Sequence, residues 1–76
     1  MNYFRDDKSI KLLGKRIKKL RLDQKVSQTQ LAFESGISRE QLGRIEAGKI
    51  NTSISNIFAI AKALNIEPKE IFDFKI

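Results

Sequence analysis

Two segments of this chain, Ser27-Gln28-Thr29-Gln30 and Ser38-Arg39-Glu40-Gln41, carry the same helix-start pattern eleven residues apart, and Gly36 is the only glycine between them. In each, the Ser hydroxyl is placed to accept the amide proton three residues on, and the Gln to reach back to the Ser amide. Together these bonds satisfy two of the donors that a helix start leaves open. The first helix then has room only from about Gln28 to Ser35, because Gly36 offers the left-handed conformation that ends a helix and Ile37 turns the chain inward. Two short helices meeting at a steep angle follow, a helix-turn-helix over about residues 28–47.

The remaining pattern is helical as well. Residues 1–8 show no periodicity and read as an N-terminal arm, with a single domain over 9–76. Ile10, Leu13, Ile17 and Leu20 recur at three- and four-residue spacing and predict a first helix from about Ser9 to Asp23. Its other faces carry Lys11, Lys15, Arg16, Lys18, Lys19 and Arg21, and Gly14 weakens it slightly. Gly48 closes the third helix, Lys49 to Thr52 form a polar loop, and Ser53 is placed to cap a fourth. In that helix Ile54, Ile57, Phe58, Ile60, Ala61 and Leu64 occupy more than one face, which predicts a central position with the others packed around it. Asn65 marks its end, and Pro68 suits the first position of a short fifth helix ending near Phe72. The fold class expected is all-α, a compact bundle of five helices.

The chain of 76 residues has no Cys and no His, so a small core must hold without disulfides, and a structural zinc site is effectively excluded. No apolar run approaches the roughly 20 residues that span a bilayer, and the first residues lack a signal-peptide pattern, so a cytoplasmic location is expected. The net charge of +6 is unevenly spread. Residues 1–49 carry 12 Lys and Arg against 6 Asp and Glu, whereas residues 50–76 carry 3 of each. A polyanion is a natural partner for that asymmetry, since each phosphate neutralised releases a counterion, although a solvated helix surface gives the same count.

With the elements placed, the sequence resembles the phage-repressor/Cro (XRE-like) family of helix-turn-helix transcription regulators from about Leu13 to Phe72. The resemblance rests on Ser27-Gln28-x-x-Leu31-Ala32, Gly36-Ile37-Ser38, Leu42-x-x-Ile45-Glu46-x-Gly48 and Ile60-Ala61-x-Ala63-Leu64. It implies a lambda-repressor-like fold whose third helix enters the major groove of double-stranded DNA. Ser38, Arg39, Glu40, Gln41, Gly43 and Arg44 occupy the family's base-contact positions. Arginine's fork matches the O6 and N7 acceptors of guanine, and Glu40 can accept from cytosine N4. Gln41 is also the capping-box residue, which would occupy its side chain. Gly43 is unusual in mid-helix, pointing either to close DNA approach or to a packing need. Phosphate contacts are implied for Lys18, Ser27, Gln28, Lys49 and Asn51, with Gln28 gripping the backbone through its side chain and the helix N-terminus. Arg21 and Glu46 match a structural ion pair of the family.

The alternation Phe72-Asp73-Phe74-Lys75-Ile76 either caps the chain's own core or forms a subunit interface, and Ile71, Phe72, Phe74 and Ile76 are the candidate dimer contacts. The expected function is therefore sequence-specific regulation of transcription by a homodimer on a near-palindromic operator, its recognition helices about 34–36 Å apart. With no effector domain in view, Cro or the controller proteins of restriction-modification systems are nearer in form than a two-domain repressor. No cofactor and no small-molecule ligand are expected. Gly43 to Lys49 imitates a phosphate-binding loop, but Ile50 replaces the required Ser or Thr and no strand precedes it. Without His or Cys no nucleophile-base pair is evident, which argues against an enzyme. Two rivals remain: an antitoxin-like module binding another protein through the apolar C-terminal segment, and a membrane-surface binder inserting the basic first helix.

Overall fold

The computed structural model describes residues 4–76, in which five helices follow one another: α1 Asp7–Asp23, α2 Gln28–Ser35, α3 Arg39–Glu46, α4 Ile54–Ala63 and α5 Pro68–Ile71. Among the described residues there is no strand. The first helix begins two residues before the expected Ser9. Asp6 caps it, its carboxylate accepting from the Ser9 amide at 3.0 Å and the Ser9 hydroxyl at 2.6 Å. Asp7 and Lys8 therefore belong to α1 rather than to an arm, and residues 1–3 of that expected arm lie outside the described residues. A carboxylate one turn upstream out-competes Ser9 as cap because it takes both the amide and the hydroxyl of Ser9, and Ser9 becomes a helical residue.

The four longer helices all stop in one way. Lys25, Gly36, Gly48 and Asn65 take positive φ, and the next residue donates its amide back across the last turn. These bonds run from Val26 to Arg21, Ile37 to Ala32, Lys49 to Arg44 and Ile66 to Ala61, at 2.9–3.2 Å. Gly36, Gly48 and Asn65 are legible as stop signals in the sequence, whereas Lys25 is not, since lysine has no preference for the left-handed region.

The helices pack as a closed ring in which α1 meets α3, α3 meets α2, α2 meets α4, α4 meets α5, and α5 returns to α1. Ile17, Leu31, Leu42, Ile57, Ile60, Leu64 and Ile71 fill the centre. This corrects the expectation of a central α4. Only one face of that helix is buried, through Ile57, Ile60 and Ala61, while Ile54 and Phe58 stay about half exposed. The centre is occupied by side chains from all five helices, which is how a ring of short helices closes.

Gly14 turns out to be required. A Cβ there would strike the backbone carbonyl of Ile45 and come within 2.7 Å of that of Glu46, so α1 and α3 cross too closely for any side chain. Two further bonds brace α1 against the second half of the chain. Arg16 Nε donates to the Glu70 carbonyl at 2.7 Å, and Gln24 Nε2 to the Leu64 carbonyl at 2.7 Å. The acceptors belong to helix ends, where carbonyls lack intrahelical partners.

Candidate nucleic-acid interface

The orientation of α3 is set by one buried polar network. Arg21, in the last turn of α1, donates from Nε to Glu46 Oε2 at 2.7 Å and from Nη2 to Glu46 Oε1 at 3.0 Å. Its Nη1 donates to the Val26 carbonyl at 2.9 Å. Gln28 Nε2 adds a bond to Glu46 Oε1 at 2.9 Å. Arg21 and Glu46 are each only 6% exposed, so the network joins the end of α1, the following loop, the start of α2 and the end of α3 in a dry setting. A buried pair of this kind gains from two-point geometry and from saturating the carboxylate, and it penalises loss of either partner. Membership of Gln28 was not legible in the sequence, where its position pointed to phosphate. The side chain is partly committed to Glu46. It keeps one amide proton, beside the open backbone N–H at the start of α2, for an external acceptor.

The face of α3 opposite the core is free of such ties. Leu42, Ile45 and Glu46 are buried, whereas Ser38, Arg39, Glu40 and Arg44 are exposed and Gln41 and Gly43 are half-buried. The chain has five arginines. Arg5, Arg16 and Arg21 all have partners within the chain. Arg39 and Arg44 have none among the described residues, and both stand on the outer side of α3. Two guanidinium forks on one short helix, with no partner among the described residues, are placed to grip an external array of acceptors.

Ser27 and Ser38 cap α2 and α3 as expected, accepting from the Gln30 and Gln41 amides at 3.0 Å. The reciprocal bonds from the Gln30 and Gln41 side chains are not made among the described residues. Ser27 and Ser38 are exposed, and an amide at an exposed helix start can be satisfied by solvent without the Gln oxygen. Each capping hydroxyl still has its proton to donate, and the Gln41 side-chain carboxamide is not held by Ser38. The reciprocal bond does occur at α5, where the Glu70 carboxylate accepts from the Glu67 amide at 3.2 Å.

Lys18, Lys49 and Asn51 are exposed, Lys18 on α1 and the other two in the loop that leaves α3. An unexpected contact reaches this loop. Arg5 Nη2 donates to the Lys49 carbonyl at 3.0 Å while Arg5 Nε binds Asp7 at 2.6 Å, so the segment before α1 braces the loop. Gly43 is half-buried, yet a Cβ added there would meet nothing within 4 Å. The packing explanation for this glycine therefore falls, although it costs α3 about 0.8–1 kcal/mol relative to alanine.

The candidate dimer contacts separate. Ile71 is fully buried in the monomer core and is not available to a partner, because the last turn of α5 directs it against the ring's centre. Phe72 and Ile76 are 45% and 77% exposed. With Phe74 they line an apolar groove of about 370 Å³, whose other wall is Phe4, Ile10 and Leu13. The part played by Phe4 and the start of α1 had no signal in the sequence.

An exposed, arginine-bearing helix held behind a glycine turn by a buried ion pair defines a helix-turn-helix unit. The family model described as helix-turn-helix (HTH_3) matches residues 17–71, and the chain belongs to that family. Control protein C.BamHI of Bacillus amyloliquefaciens is 41% identical over 64 residues, 83% of this chain and 79% of that protein. The immunity repressor protein of Bacillus phage phi105 is 41% identical over 59 residues, 78% of this chain but 41% of the repressor. Among solved structures, the restriction-modification controller protein C.AhdI of Aeromonas hydrophila superposes with a TM-score of 0.85 at 41% identity, covering 87% of this chain and 96% of that one. C.Esp1396I bound to a 25 base pair operator site superposes with a TM-score of 0.78 at 26% identity, covering 95% and 90%. No described helix is long and apolar enough to cross a membrane.

Proposed function

We propose that this protein is a sequence-specific, DNA-binding regulator of transcription of the repressor/Cro type, acting as a homodimer on a near-palindromic operator in the cytoplasm. The observation that carries the reading is that Arg39 and Arg44, without a partner among the described residues, stand on the exposed face of a helix whose inner face is locked by Arg21, Glu46 and Gln28. In the major groove, the Arg39 and Arg44 forks read guanine edges, Glu40 accepts from cytosine, and Ser38 and Gln41 supply adaptable donors. Ser27, Gln28, Lys18, Lys49 and Asn51 hold phosphates and fix the register of α3 without reading sequence. The α3 residues act by binding alone, as befits a member of a helix-turn-helix family.

The groove lined by Phe72, Phe74 and Ile76 is where a second copy docks, since an isologous contact needs a patch that can face itself. A two-fold dimer then presents two α3 helices to successive major grooves, about 34–36 Å apart.

Selection from random duplex DNA tests the reading. The selected fragments are expected to contain inverted half-sites. A dimer making about 6–10 phosphate contacts should lose roughly 10³–10⁵ in affinity between 50 and 200 mM salt, and Lys49→Ala should make that dependence shallower. Recovery of sequence-blind binding alone, abolished at physiological salt, would overturn the proposal in favour of a protein partner.

A further inference from the structure

Gly43 is the one glycine for which the described residues give no reason. Gly36 and Gly48 have positive φ, and Gly14 lies where a Cβ would meet the α3 backbone. Gly43 has ordinary helical geometry in the middle of α3, and a Cβ there would find open space. Alanine would therefore fit the monomer and favour the helix. The position lies one turn after Arg39 and next to Arg44, on the side of α3 that carries both free guanidinium groups. Because helical side chains lean towards the N-terminus, anything at 43 would project over the turn that bears Arg39.

From this we infer that Gly43 is a specificity-determining residue whose contribution is the absence of a side chain. It lets the α3 backbone come into van der Waals contact with base edges at the floor of the major groove, with room for Arg39 to lie flat against its base. The inference rests on the regulator reading above and deepens it, assigning to one position the depth at which the helix sits. A methyl group at 43 holds the helix off the groove floor and lengthens the Arg39 and Arg44 bonds, which depend steeply on distance and angle. Phosphate contacts, made by long flexible side chains at the rim, tolerate the same displacement.

The test uses the full-length protein and the duplex that the wild-type chain selects from a random library. Gly43→Ala is expected to raise the melting temperature by several degrees. It should weaken binding to the selected duplex by about tenfold or more, with binding to a scrambled duplex at low salt unchanged. Gly43→Val should weaken specific binding further. Unchanged affinity of Gly43→Ala for the selected duplex would overturn the inference. So would a lowered melting temperature, which would mean that the glycine serves the fold, or an equal loss on scrambled DNA, which would make 43 a backbone-positioning site. Failure of the wild-type chain to select any duplex would instead remove the regulator reading and this inference with it.

Discussion

The two ends of α1 are built on opposite principles. At its C-terminal end, Arg21 donates to Glu46 and Val26, and Gln28 donates to the same Glu46 carboxylate, through directional bonds of 2.7–3.0 Å around a buried ion pair. At its N-terminal end, Ile10 and Leu13 face Phe4, Phe72, Phe74 and Ile76 across an open apolar groove. About eleven residues separate these regions, roughly 16 Å along the helix axis. Directional bonds define an angle, and the angle of α3 must be defined if its arginines are to meet base edges. Apolar contact has no preferred direction, and in the dimer proposed above a second copy of the chain closes this surface. One helix thus joins a part held by directional bonds to a part that the proposed dimer would share.

The contrast is broken most directly at Glu46. Glu46→Ala leaves the Arg21 guanidinium buried without its partner, and equilibrium unfolding should register a loss of about 3–5 kcal/mol. A loss below about 1 kcal/mol would show that water reaches Arg21 and that the α3 angle is held by apolar packing instead.

Adjacent residues at the other end sharpen it. Ile71→Ala should cost about 2–5 kcal/mol of monomer stability, because the side chain is fully buried. Phe72→Ser and Ile76→Ser should leave unfolding nearly unchanged and weaken dimerisation by about 1–2 kcal/mol each, read by light scattering across a concentration series. If the tail substitutions unfold the chain while leaving assembly intact, the groove belongs to the monomer core and the second copy docks elsewhere.

The smallest effect concerns Asp6, whose pKa is lowered by the Ser9 hydroxyl and then by the Ser9 amide. A carboxyl held below its ordinary value stabilises the fold above that value, and the contribution disappears as pH falls through the folded-state pKa. Protection of the Ser9 amide, its exchange rate taken relative to that of an unstructured chain at the same pH, should therefore be greater at neutral pH than in acid, where the Asp6 carboxylate is protonated. Asp6→Asn should abolish that difference while leaving exchange around Arg21 unaffected. A matching change at the Arg21 end would mean that the two ends of α1 melt as one unit.

Sequence alone determined the features governed by neighbours along the chain. Ser27, Ser38 and Ser53 cap helices wherever they precede a helical run, and Gly36 and Asn65 end them, because these effects act over three to five residues. The exposed face of α3 was legible for the same reason, since helical periodicity separates Arg39 and Arg44 from Leu42 and Ile45. The resemblance to known regulators supplied the Arg21 and Glu46 pair. Tertiary structure decided whatever depends on residues far apart in sequence: the Gln28 bond to Glu46, the need for Gly14 beneath α3, the partial exposure of α4, and the groove that brings Phe4 to Ile76. It also decided that Ile71 faces inward while Phe72 does not. Periodicity assigns residues to faces, but which face is covered depends on the angle at which another helix arrives, and that angle is a property of the whole packed ring.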